Sequence, residues 1–385
     1  MLRQISVSAP SKVILHGEHA VVYGKSAVAA SLDLRTRMHL VPILKDSVLQ
    51  VDFPDVGVTQ SWTGKVIRDR ILSFKPSIKG CETSIDQEFL SKIEAFVRDE
   101  KVDNSLQRAS LTCFFYLYAI ICDKFVPMSI KVESEIPLGA GLGSSAALSV
   151  CLASGLLAMK TQDSEFNKKA LEEVCQYALM SEKILHGQPS GIDNSVSTYG
   201  GFVHFKKGKV IPLDPPESFK LRILLVNTKV ARQTRDLVEK VKTQHQRHSS
   251  IIEPILGSID AISMKFLETI KDMEENGDSQ RSYHDLNQCI SYNQDLLRTL
   301  GVSHSSLEEV VSIAKSLGLH AKLTGAGGGG FAFILLPPFV QESVVHDVHG
   351  RLTKQGYECR EARLGVNGVR VQFDNCNTDH ECISQ

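Results

Sequence analysis

Apolar positions along the chain change period several times, and each change marks an element. Residues 5–8 and 12–15 alternate or run apolar as strands do, parted by Ala9-Pro-Ser, and 26–32 and 34–41 read as two more. Arg35 and Arg37 fall on the face opposite Leu34, Thr36 and Met38. Residues 42–84 are broken by Pro, Gly and Ser, with a hairpin expected around 48–53. Helices are expected over 86–98 and 106–123. In the second, Leu111, Phe115, Tyr118 and Cys122 recur at near-helical spacing and read as core. A strand over 128–133 leads into a glycine-rich loop and then an uncharged run, Ala146 to Met159, that reads as a buried helix.

The helix expected over 167–186 carries a fault in its pattern. Leu171, Cys175, Ala178 and Glu182 share one stripe, so a carboxylate lies on the apolar face. Such a group needs a partner or a metal, which leaves a structural salt bridge and a functional role both open. Gly187, Pro189 and Gly191 then make a stiff turn that presents Asp193, and 202–205 returns to a strand. The polar, proline-bearing stretch 206–219 divides the chain into domains at 1–216 and 217–385. In the second half a strand over 221–227 precedes helices over 232–247, 251–272, 280–300 and 305–317. β-like runs at 320–324 and 331–336, a helix to about residue 355 and strands near 357–363 and 368–373 complete an α+β pattern.

Composition narrows the function. A chain of 385 residues exceeds one compact core, and 42% hydrophobic with 23% charged content suits a soluble globular protein. A net charge of -1 argues against a nucleic-acid footprint or a polybasic membrane surface. No apolar run approaches the ~20 residues of a spanning helix, and the N-terminus lacks an apolar h-region. Nine cysteines, odd in number and without a C-x-x-C pair, read as reduced thiols in the cytoplasm. Cys382-Ile-Ser-Gln outlines a prenylation box, but Ser384 is a poor aliphatic, and Asp379 and Glu381 stand where basic residues are usual.

Chemistry concentrates in a few stretches. Pro137-Leu-Gly-Ala-Gly-Leu-Gly-Ser-Ser-Ala146 alternates glycines at 139, 141 and 143 and then opens a helix, with Ser144 or Ser145 as the expected N-cap. Backbone N–H groups aimed from such a loop suit a phosphate. A P-loop would need a Lys after its last glycine, and a dinucleotide fingerprint a glycine at 144; neither is present. A plain glycine-rich turn capping a buried helix remains the alternative. Lys12, His16, Glu18 and His19 crowd eight residues bracketed by glycines, and Lys322-Leu-Thr-Gly-Ala-Gly-Gly-Gly-Gly330 is too glycine-rich for a mere hairpin.

Together with 186–194 and Asn227-Thr-Lys-Val, these stretches resemble the GHMP small-molecule kinases over nearly the whole chain. Ser11, Leu138 and Ala231 depart from that family's usual Gly, Thr and Pro, without removing a reactive group. The resemblance implies a two-domain GHMP kinase fold. Its N-terminal domain would be ribosomal-protein-S5-domain-2-like with a left-handed βαβ unit, and its C-terminal domain ferredoxin-like, with the site in the cleft between them. It implies transfer of the ATP γ-phosphoryl to an alcohol. The 9–19 opening is similar to the branch whose acceptor is mevalonate; phosphomevalonate, homoserine or a sugar is the alternative.

Carried over residue by residue, the resemblance makes Asp193 the base and Lys12 its cationic partner, both touching substrate. ATP falls to Pro137, Gly139, Ala140, Gly141, Leu142, Gly143, Ser144, Ser145 and Ala146, and Mg²⁺ to Ser145 and Glu182. The acceptor falls to Glu18, His19, Thr234, Gly325, Ala326 and Gly327, with Arg232 near a phosphate. It further implies a homodimer, inhibition by isoprenoid diphosphates, and a cytoplasmic protein with a peroxisomal fraction open. A non-catalytic relative would have lost Lys12, Ser145, Glu182 or Asp193, and all four are present.

Overall fold

Two long strands carry the molecule. Burial is continuous toward the end of β1 (Gln4–His16) and the start of β2 (Ala27–Pro42), which pair with each other, and alternates at their other ends, because the paired inner ends are covered on both faces. The breaks expected at Ala9-Pro-Ser and at residue 33 are absent. Pro10 sits at a register shift opposite Arg35, where its missing N–H spares the ladder. Arg35 is buried, contrary to its expected outward face, and donates to the carbonyls of Ser8, Asn367 and Gly368. The computed structural model describes residues 3–43, 47–74, 83–100, 102–137, 139–213, 221–231 and 233–374. The expected boundary at 216, Arg232 and the Cys382 box lie outside the described residues.

The hairpin expected near 48–53 pairs β3 (Val48–Phe53) with β4 (Val58–Thr63), followed by a short α1 (Gly64–Ile67). Helices α2 (Gln87–Asp99) and α3 (Ser105–Ile121) begin where Asp86 and Asn104 cap them, Asn104 within a reciprocal capping box with Gln107. The aromatic run of α3 is core as expected. Phe114, Phe115, Tyr116 and Tyr118 are fully buried, each burial contributing roughly 1.5–3 kcal/mol. After β5 (Met128–Ser134) come α4 (Ser144–Thr161), α5 (Lys168–His186) and α6 (Ile192–Tyr199). Helix α4 is long and apolar enough to cross a membrane by length and composition, contrary to the expectation of no such run; 72% of it is buried inside the fold.

Helix α6 and strand β7 (Lys209–Leu213) were not foreseen. The first is a two-turn helix started by Gly191 in a left-handed conformation, too short for a periodic signal. The second is an edge strand on β6 (Phe202–Lys206), and there Pro212 costs little. The C-terminal half contains β8 (Leu221–Asn227), helices α7 (Thr234–Arg247), α8 (Ser249–Asn276), α9 (Gln280–Thr299) and α10 (Ser305–Ser316), then β9 (His320–Leu323), β10 (Phe331–Leu335), α11 (Glu342–Lys354), β11 (Glu358–Leu364) and β12 (Arg370–Asp374). Four of its strands lie in the order β11-β8-β10-β9, the split βαβ arrangement of a ferredoxin-like unit.

Among the described residues the strands form one sheet, β4-β3-β5-β2-β11-β8-β10-β9, with β2 joined to β11 at the Leu32–Leu364 register. The last strand, β12, returns to pair with β1, so the two halves share a covalent thread and a seam. At that seam Gly200 (φ +74°) abuts backbone: a Cβ there would lie 2.1 Å from the Gly368 nitrogen. Gly200→Ala is expected to lower unfolding stability by on the order of 3 kcal/mol, since neither the backbone angle nor the space suits a side chain. Urea titration of the parent and the variant tests this.

Candidate active site

The three alternating glycines take left-handed angles, φ +70° at 139, +70° at 141 and +77° at 143. The loop is tied to the central strand by a 2.9 Å hydrogen bond from the Lys12 N–H to the Leu142 carbonyl. A Cβ on residue 143 would meet the Lys12 Cγ at 2.9 Å, so the last glycine is dictated by the side chain passing beneath it. Gly143, not a serine, is the N-cap of α4, and no side chain caps the helix. The correction matters: Ser144 and Ser145 occupy the first turn, and its N–H groups stay turned toward the loop.

Released from capping, Ser145 donates to the Glu182 Oε2 at 3.2 Å and lies 3.2 Å from the His186 Nε2. Ser149, one turn on, donates to the Glu182 Oε1 at 3.3 Å. Among the described residues Glu182 is thus buried with no lysine or arginine in salt-bridge contact; its one cationic candidate there is His186, at 3.9 Å. Burial, and then the neighbouring Asp193 charge, push its carboxyl up from 4.5 to about 7 despite the serine hydrogen bonds. A structural salt bridge is not what holds it.

Asp193 sits in the first turn of α6, where the turn 186–191 delivers it, and its Oδ1 lies 3.0 Å from the Lys12 Nζ. Lys12 is almost wholly buried, while Asp193 is about one-third open at 35% exposure, so the pair is reached from outside through its acid. Lys12, Ser145, Glu182 and Asp193, foreseen separately, are therefore one cluster at the N-terminus of α4.

A divalent cation fits part of this cluster. A carboxylate lacking a positive partner, beside a hydroxyl, is a hard-oxygen pair of the kind Mg²⁺ accepts. Among the described residues no group of three or more His, Cys, Asp or Glu could hold a metal ion. The remaining ligands would have to be phosphate oxygens and water.

The segment 16–19 divides its residues between different tasks. His16 is fully buried against Phe266, with ring centroids 4.7 Å apart, and neither ring nitrogen has a hydrogen-bond partner among the described residues. His19 adopts φ +61°, a strained angle for a side-chain-bearing residue, and its Nε2 meets the Ala326 carbonyl at 2.9 Å. Glu18 is buried and held by Lys322 and Asn293.

The 325–330 glycines do make a close approach, but largely to this chain: added Cβ atoms would meet the Val302 carbonyl from 327, Leu237 from 328 and Val230 from 329. Gly325 and Ala326 are left partly open. Thr234 is exposed at the start of α7. Sequence reasoning missed Ser149, His186, Lys322 and Asn293, whose contacts are long-range or sit one helical turn from a residue already singled out. It also missed a small, mainly apolar nook beside Ser144, lined by Phe53, Val56, Val132 and Leu148 with Thr36, Asp55 and Ser134.

Known proteins share this chain's sequence pattern and fold. The GHMP kinases N terminal domain matches residues 111–201 and the GHMP kinases C terminal domain 268–352. The chain is 40% identical to a mevalonate kinase of Homo sapiens over 95% of its own length and 94% of that protein, and 34% identical to one of Arabidopsis thaliana over 96% and 100%. The solved mevalonate kinase of Methanococcus jannaschii superposes with a TM-score of 0.67 at 23% identity, covering 93% of this chain and 98% of that one. The L. major mevalonate kinase in complex with R-mevalonate gives 0.67 at 22% identity, over 94% and 96%. The fold and site thus define an ATP-dependent kinase of the two-domain GHMP class. Within that class the chain belongs to the mevalonate kinase family.

Because the Glu182 pKa is raised on folding, protonation favours the native state. That contribution is full below about pH 4.5 and is lost as pH rises through about 7, a swing of about 3 kcal/mol. Glu182→Gln, measured without metal or nucleotide, is expected to gain stability over the parent as pH rises, by about 2 kcal/mol more at pH 8 than at pH 5. Thermal melts at the two pH values decide it; an unchanged difference means that Glu182 is not a strained carboxylate.

Proposed function

We propose that this kinase transfers the γ-phosphoryl group of ATP to the primary hydroxyl of mevalonate, forming 5-phosphomevalonate. The observation that carries this reading is the Lys12–Asp193 pair at 3.0 Å beside the glycine loop, in a chain of this family. Phosphoryl transfer asks chiefly for positioning and for neutralisation of charge. The 139–145 amides hold the β- and γ-phosphates, with the nucleoside running toward the apolar nook beside Ser144.

Asp193 accepts the proton of the attacking hydroxyl at its carboxylate. Lys12 orients that carboxylate through its Nζ and offsets the negative charge that builds on the transferring group. Glu182 and Ser145 would hold Mg²⁺, which would supply charge neutralisation at the phosphates. His19, Thr234, Gly325, Ala326 and Gly327 face the acceptor and limit water in the cleft.

This reading assigns phosphate binding and the reacting pair to residues 1–216 and cleft closure to 217–385. The remaining family traits belong to the same proposal: a homodimer, a cytoplasmic enzyme with a peroxisomal fraction, and inhibition by isoprenoid diphosphates competing for the anion cradle.

Steady-state ADP release with MgATP and mevalonate, set against no acceptor and against phosphomevalonate, homoserine and galactose, tests the acceptor. A higher kcat/KM on any of the others removes mevalonate. Asp193→Asn is expected to lower kcat by ~100-fold or more while nucleotide binding, measured by calorimetry, stays within a few-fold of the parent. Near-parental kcat would leave Asp193 without a role as base.

A further inference from the structure

Glu18 stands in the stretch most suggestive of acceptor binding, yet its side chain is 1% exposed and both oxygens are engaged from the other half of the chain. Lys322, itself fully buried on β9, donates from Nζ to the Glu18 Oε1 and, at 2.7 Å, to the Leu323 carbonyl. The same ammonium lies 5.4 Å from the centre of the Phe333 ring. Asn293 on α9 donates to the Glu18 Oε2 at 2.9 Å. Its neighbour Gln294 accepts from the Leu323 N–H at 2.9 Å, which fixes β9 against α9.

Two further contacts tie the same segments. Thr324 Oγ1 donates to the Ile14 carbonyl at 2.8 Å, and His19 meets the Ala326 carbonyl. Gly17 cannot carry a side chain, since a Cβ would lie 2.4 Å from the Ser26 carbonyl oxygen, so the backbone on either side of it has little freedom. Residues 322, 324 and 326 thus all reach the 14–19 segment, and the charged contact is the deepest.

Energetics say what such a pair is for. Burying an ammonium and a carboxylate costs about as much as their attraction returns, so a buried ion pair adds little net stability over an apolar pair. What it supplies is directional: a carboxylate with both oxygens committed accepts one placement of its partners, and a sliding apolar contact would not. Removing a single partner leaves a buried charge uncompensated, so only charge-balanced changes read its function.

We propose that Lys322 and Asn293 are positioning residues for the acceptor. By fixing Glu18 they set the register of the 14–19 segment against β9, and so place His19 and the Gly325–Gly327 loop on either side of the acceptor's path. Glu18 is then an anchor, not a contact to substrate. This rests on the mevalonate reading above. It involves neither the glycine cradle nor the Lys12–Asp193 pair, so its effect falls on the acceptor and not on ATP.

The test is steady-state kinetics on the full chain, with Asn293→Ala and the charge-free double variant Glu18→Gln/Lys322→Met. The parent on mevalonate is measured first; a parent that does not turn it over removes the functional reading, independently of this one. With an active parent, the double variant is expected to raise the KM for mevalonate by about 30-fold or more and Asn293→Ala by about 3- to 10-fold, with the KM for ATP within about 2-fold in both. Parental mevalonate KM values in both variants, or equal rises in the two substrates' KM values, overturn the proposal. Should the double variant not fold, Asn293→Ala decides by the same criterion. A large mevalonate KM rise from the double variant with none from Asn293→Ala would make Glu18 a direct substrate contact and overturn it too.

Discussion

Everything at the site depends on one backbone constraint: the loop between β5 and α4 must cross directly over Lys12. The bond from the Lys12 N–H to the Leu142 carbonyl sets that crossing, and three left-handed glycines let the chain follow it. A side chain at residue 143 would displace Lys12, and with it the partner of Asp193. The glycine loop and the Lys12–Asp193 pair are therefore one object, assembled when α4 packs onto β1 and β2.

The same packing creates the electrostatic tension at Glu182. Helix α4 is almost wholly apolar and buried, and α5 lies along it, so a carboxylate at their contact sits in a poorly polarisable setting. Two serine hydroxyls satisfy its oxygens without neutralising it. Such a group is costly in the fold, and a raised pKa is the result. Lys12, which lowers the Glu182 pKa only as the last of its influences, is committed to Asp193.

The halves of the molecule are joined in two unlike ways. One is the shared sheet, where β2 meets β11 and β12 returns to β1. The other is the polar lock of Glu18, Lys322 and Asn293, with His19 and Thr324 beside it. A sheet resists separation but tolerates twist, whereas a buried ion pair tolerates neither. That combination suits a cleft whose walls must meet in one register.

Most helices and the left-handed glycine loop were legible because they depend on local rules: period, capping residues and glycines with positive φ. Ser145, Glu182 and Asp193 could each be named from pattern or family likeness. That Glu182 meets no lysine or arginine among the described residues, or that Gly143 takes the cap and frees Ser145, could not. The extent of β1 across Pro10, the burial of Arg35 and the edge strand at 209–213 were likewise hidden, because neighbouring strands decide them. So was the anchoring of Glu18, made by residues 275 and 304 positions away. Sequence by itself determined which chemical groups were available and what local backbone they could adopt. Only the tertiary structure decided which charges face each other, since burial and pairing depend on what the rest of the chain brings alongside.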